Sequence, residues 1–74
     1  MTKLTYTFKN GTTIKYTGKR DVKYVWSFEN ENGLCFGGFS ITEKAALSTA
    51  KNNYKIYTDG NHKIVKESIT AFKL

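Results

Sequence analysis

The residues able to do covalent or acid–base chemistry are few and far apart. There is one cysteine, Cys35, and one histidine, His62. A nucleophilic thiol needs a helix N-terminus, a paired histidine or a nearby cation to lower its pKa. Cys35 has none of these around it, so it reads as a small strand residue. His62 falls in a turn with no second ligand nearby in sequence, which argues against a general base or a metal site. Glu29 and Glu31 form half of a carboxylate pair whose other half is missing, and a solvated turn accounts for them. Gly37-Gly38 is not followed by the Gly-Lys-Ser/Thr pattern of a phosphate loop. The expectation is a non-enzymatic protein with no cofactor and no metal.

The cations are the more informative set. Twelve Lys and Arg stand against six Asp and Glu, a formal charge of +6, and Arg20 is the only arginine. Such a balance suits nucleic acid, an acidic protein surface or simple solubility. Lysine meets phosphate as a point charge, whereas arginine reads bases bidentately. A lysine-rich chain therefore favours contact with a phosphate backbone over base reading. Lys15, Lys19, Arg20 and Lys23 cluster on the first hairpin and the loop after it, and they are the candidate site for nucleic acid or an acidic partner. The competing reading is a solvated surface that guards sheet edges. Tyr24, Trp26 and Phe28 could stack bases, but their alternation with polar neighbours favours a buried core.

These groups must be held by a single small domain, since 74 residues allow no more. A core this size depends on large side chains, and 15% aromatic residues supply them. With one cysteine no intramolecular disulfide can form, which points to a reducing, cytoplasmic setting. The segment MTKLTYTFKN lacks the apolar run of a signal peptide, and no stretch has the length of a membrane span.

The expected architecture is α+β: four antiparallel strands, one helix packed on one sheet face, then one or two further strands. Lys3–Lys9 alternates, with Leu4, Tyr6 and Phe8 on one face. A three-residue loop, Lys9-Asn10-Gly11, pairs Phe8 with Thr12, Tyr6 with Ile14 and Leu4 with Tyr16. All apolar residues then share one side, and Gly11 takes positive φ in a G1 bulge. The other side shows Lys3, Thr5, Thr7, Thr13, Lys15 and Thr17. The third strand, Val22–Phe28, turns Val22, Tyr24, Trp26 and Phe28 inward and Lys23, Val25 and Ser27 outward. A second three-residue loop, Glu31-Asn32-Gly33, leads to a strand over Leu34–Gly38. It pairs Phe28 with Phe36 and sets Gly38 opposite Trp26, and Gly37-Gly38 is placed to bulge that strand. Ser40-Ile41-Thr42-Glu43 fits a capping box with Ser40 as N-cap. The helix would run to about Lys51, with Asn52-Asn53 as C-cap. Tyr54–Thr58 reads as a strand, turning at Asp59-Gly60-Asn61 so that Ile56 meets Ile64. Lys63–Leu74 fits both a helical face and a strand, and its Ile and Val content favours the strand.

The run from Trp26 through Phe36-Gly37-Gly38-Phe39 to Ser40 and Ala46 resembles the DNA-binding domains of ethylene-response factors and the arm-site-binding domains of tyrosine integrases. In both, a three-stranded antiparallel sheet packs on one helix. The resemblance covers about residues 23–51 and implies DNA reading by the exposed sheet face. Those families place arginines on that face, where this chain has Lys23, Val25, Ser27 and Cys35.

Two functions follow as expectations. The first is a small nucleic-acid-binding module using Lys15, Lys19, Arg20 and Lys23. The alternative is a protein inhibitor acting on a host complex. In size and composition the chain resembles accessory proteins of phages and mobile elements, anti-CRISPR proteins among them. A homodimer is compatible with either.

Overall fold

The computed structural model describes residues 2–74. The fold is α+β, with five strands in two antiparallel sheets and one helix. β1 (Thr2–Thr7) and β2 (Thr13–Gly18) form a hairpin. β3 (Tyr24–Asn30), β4 (Cys35–Ser40) and β5 (Ile64–Lys73) form a second sheet in the order β4-β3-β5. The helix α1 (Glu43–Asp59) packs on that sheet, mainly against β5 and β3. The element order is the expected one, but the strands divide into two sheets.

Both hairpins take the register that the apolar pattern requires. Leu4 opposes Tyr16 and Tyr6 opposes Ile14. Phe28 opposes Phe36 and Trp26 opposes Gly38. The two turns are built alike. Gly11 N–H donates to Phe8 O at 2.9 Å, and Gly33 N–H donates to Asn30 O at 3.0 Å. Both glycines have positive φ, 93° and 82°, which a side chain at that position would resist.

The division into two sheets has one consequence that the sequence conceals. The apolar face of the β1–β2 hairpin does not extend the central sheet; it lies across it. Tyr6 meets Phe72 with ring centroids 5.3 Å apart, and Tyr16 meets Phe39 at 6.3 Å. Phe39 and Phe72 flank Val25 in the ladder. Val25, expected to face outward, is therefore 0% exposed. The molecule has three layers: helix, three-stranded sheet, hairpin.

Two adjacent glycines on β4 let both outer layers approach. A Cβ on Gly37 would lie 2.7 Å from Cζ of Phe8 and 2.6 Å from the Trp26 carbonyl oxygen. A Cβ on Gly38 would lie 2.9 Å from Nε1 of Trp26. Gly37 serves the hairpin side and Gly38 the helix side. The β4 register is unbroken from Cys35 to Ser40, so the glycines do not bulge the strand. The irregularity lies in β5 instead, between the partners of Ser27 and Glu29.

The helix differs from expectation at both ends. Ser40 still pairs with Tyr24 in the sheet, so it cannot cap. Thr42 is the N-cap, with its Oγ1 accepting from Ala45 N–H at 3.2 Å. Glu43 falls in the first turn, where a carboxylate suits the helix dipole. The helix then runs 17 residues, through Asn52-Asn53 and the proposed strand at Tyr54–Thr58. Asn53 does not cap: its Nδ2 donates to Thr49 O one turn back, at 2.9 Å. The buried stripe explains the extension. Ala46 and Ala50 are fully buried against Trp26 and Phe28, and Tyr54 and Tyr57 continue the same face. Tyr57 stacks on Phe36 at 4.8 Å. Ile56 is left on the outside, 65% exposed, and Ile64, the first residue of β5, pairs with Asn30 of β3. Residues Ile64–Lys73 are a strand, as the β-branched content favours.

Candidate nucleic-acid interface

The outer face of the β1–β2 hairpin alternates as its register demands. Lys3, Thr5, Thr7, Thr13, Lys15 and Thr17 are all exposed, and the residues between them turn inward. Lys3 pairs with Thr17, and Thr5 with Lys15. The two lysines are thus diagonal neighbours, about 7–8 Å apart at their backbones. The Thr7 and Thr13 hydroxyls share a hydrogen bond of 3.1 Å, which fixes both side chains at the turn end. Lys9 is exposed in the turn, and Lys19 is exposed where the chain leaves β2.

The four residues singled out from the sequence are all exposed. Lys15 lies on the outer hairpin face and Lys19 at its end. Arg20 lines a hollow of about 280 Å³ at the β4 edge together with Tyr16, Phe39 and Ile41. Its backbone N–H donates to the Tyr16 hydroxyl at 3.3 Å. Lys23 faces Asp21, with Nζ 3.6 Å from the carboxylate. Both partners are well exposed, and such a pair contributes at most about 1 kcal/mol. It sets a carboxylate beside the charge that Lys23 would bring to a phosphate.

Lys3 and Lys9 are further exposed cations of the hairpin layer. Lys3, Lys9, Lys15, Lys19 and Arg20 all fall in the first twenty residues, which contain no Asp or Glu. Every acid of the chain lies beyond them. The hairpin layer is therefore uniformly cationic, while the rest of the molecule mixes signs.

The aromatic residues turn away from this face. Tyr6, Phe8 and Tyr16 point into the space between hairpin and sheet. Trp26 and Phe28 are buried beneath the helix, with Tyr24 packed against them. The outer hairpin face consequently offers charge and hydroxyls but no ring on which a base could stack.

The residues with reactive side chains are placed as follows. Cys35 opposes Glu29 in the β3–β4 ladder. Burial raises its thiol pKa, and the Glu29 carboxylate raises it further. His62 is exposed at the end of α1, its ring edge-on to Tyr57 at 5.3 Å and to Phe36 at 5.9 Å. Its backbone N–H donates to Tyr57 O. It finishes the aromatic stack at that end of the core. Among the described residues no group of three or more His, Cys, Asp or Glu is placed to hold a metal ion, and no helix is long and apolar enough to cross a membrane. In comparisons with known proteins, no family model, no curated protein and no solved structure matches the chain.

Proposed function

We propose that this protein is a small nucleic-acid-binding module that grips a phosphate backbone with the outer face of its β1–β2 hairpin. The observation that carries this reading is the composition of that face. It holds Lys3 and Lys15 between four threonines, with Lys9 and Lys19 at its ends and no carboxylate anywhere in the layer. Lysines supply counterion release, and hydroxyls donate to phosphate oxygens. The lack of exposed rings favours a double-stranded target over a single strand, whose bases need stacking partners. The strands of the face carry lysine and no arginine to read bases, so binding tracks backbone shape more than sequence.

The test compares two variants of equal charge. Lys3→Glu/Lys15→Glu alters the hairpin face, and Lys51→Glu/Lys55→Glu alters α1. Affinity for a labelled DNA duplex, read by fluorescence anisotropy, should fall at least about tenfold in the first and much less in the second. An equal loss in both would mean that net charge alone governs binding and that the hairpin is not the site.

A second reading, an inhibitor that covers part of a host protein complex, is favoured by one feature. An apolar groove lies on the opposite side of the central sheet.

A further inference from the structure

α1 and β5 leave an open groove of about 560 Å³ between them, lined by Leu47, Lys51, Tyr54, Lys55, Lys66 and Ile69. Its floor is apolar. Leu47, Tyr54 and Ile69 are each half-buried, and the last two pack on the core. Its rim is three exposed lysines, and no carboxylate lines it. None of the three has an ion-pair partner among the described residues.

The sequence builds this groove from both sides. On the helix, Leu47, Lys51, Tyr54 and Lys55 follow the spacing of a single stripe. On the strand, an irregularity does the work. Ser27 opposes Thr70 while Glu29 opposes Val65, so residues 66–69 swing out of the ladder with β3. Ser68 fastens the bulge: its Oγ accepts from Glu29 N–H at 2.8 Å and donates to Val65 O at 2.6 Å. In a regular strand Lys66 and Ile69, an odd number apart, would face opposite sides. The bulge brings both to the groove, and re-aiming side chains is a common use of bulges.

We propose that this groove binds an acidic peptide segment of a partner protein, one that carries an apolar or aromatic side chain. That side chain seats on Leu47, Tyr54 and Ile69, and flanking carboxylates meet Lys51, Lys55 and Lys66. The rim charge selects this occupant over others. A second copy docked about a two-fold axis would bring the same lysines face to face. A phosphate backbone would use the rim but gain nothing from the floor. A small molecule would keep much of its surface in water, because the groove is open along its length. The inference is independent of the hairpin reading.

The probe is a short fluorescein-labelled peptide of Asp and Glu with a central Phe-Leu pair, beside a counterpart with Ser-Ser in that place. Anisotropy is measured on wild type, Lys51→Glu/Lys66→Glu and the equally charged Lys3→Glu/Lys15→Glu. The groove variant should bind at least about tenfold more weakly, and the hairpin variant within about twofold of wild type. The Ser-Ser peptide should bind more weakly than the Phe-Leu peptide. Amide shifts in a ¹H–¹⁵N spectrum should concentrate in residues 47–55 and 66–69. Equal loss in both variants would overturn the proposal, as would equal binding of the two peptides. So would a DNA duplex that shifts the same amides and displaces the peptide.

Discussion

Replacing Val25 by threonine tests the three-layer arrangement with almost no change of shape. The two side chains are nearly isosteric, and both favour strands. If Val25 faced solvent, as alternation along β3 suggests, the change would lie within about 0.5 kcal/mol of neutral. In the structure Val25 is 0% exposed and is flanked in the ladder by Phe39 and Phe72, with the hairpin above it. A hydroxyl placed there leaves water for an apolar environment, at a cost of about 1–3 kcal/mol. For a domain of this size each kcal/mol lowers the melting temperature by roughly 4–8 °C. A loss near 2 kcal/mol therefore means a fall of roughly 8–16 °C. Total stability of such a domain is roughly 4–11 kcal/mol, so the variant stays folded. The assay is urea unfolding followed by the fluorescence of Trp26, the only tryptophan and a buried one. The midpoint should fall with the slope unchanged. Thr5→Val on the outer hairpin face is the control and should be near neutral. A Val25→Thr midpoint equal to wild type would refute the docking of the hairpin on the sheet.

Three other outcomes follow from the packing and the caps. Gly37→Ala and Gly38→Ala should each cost about 1–3 kcal/mol in urea unfolding, through overpacking. Phe8→Leu should partly rescue the first and not the second, because only the Gly37 position meets the Phe8 ring. Thr42→Ala should lose about 1 kcal/mol of stability by removing the N-cap, whereas Ser40→Ala leaves that cap intact; equal losses in thermal melts would restore the capping box at Ser40. Alkylation of Cys35 by iodoacetamide should require higher pH than a free thiol, since burial and Glu29 both hold the proton on. The folded state then binds the proton more tightly than the unfolded chain, so this group's contribution to stability is present below the ordinary thiol range and falls as pH rises through it.

What the sequence made legible was local. Period-two alternation and the two Asn-Gly turns determined both hairpin registers, because a one-residue slip would expose Leu4, Tyr6 and Phe8. The clearance of Trp26 over Gly38 followed from the same pairing. What stayed hidden was tertiary. Val25 read as outward because alternation identifies two faces but cannot say that both are covered. Tyr54–Thr58 read as a strand, and four of its five residues are aromatic or β-branched. Burial of Ala46, Ala50, Tyr54 and Tyr57 against the sheet overrode that preference and kept the helix going. Of the candidate cations the alternation placed Lys15 on the outer hairpin face, where it lies, but the neighbours of Arg20 at the β4 edge depend on how the hairpin docks. The groove between α1 and β5 could not be foreseen, since it depends on a bulge that no residue pattern announces.

Whether the hairpin face neutralises phosphates, as proposed, is read from the salt dependence of duplex binding. If Lys3, Lys9, Lys15 and Lys19 each neutralise one phosphate, log K against log salt should slope at about −3.6 for the wild-type protein. Lys3→Glu/Lys15→Glu should reduce the magnitude of that slope by about 1.8. A slope near zero for the wild type, or one that the substitutions leave unchanged, would mean that the hairpin face does not hold the phosphates.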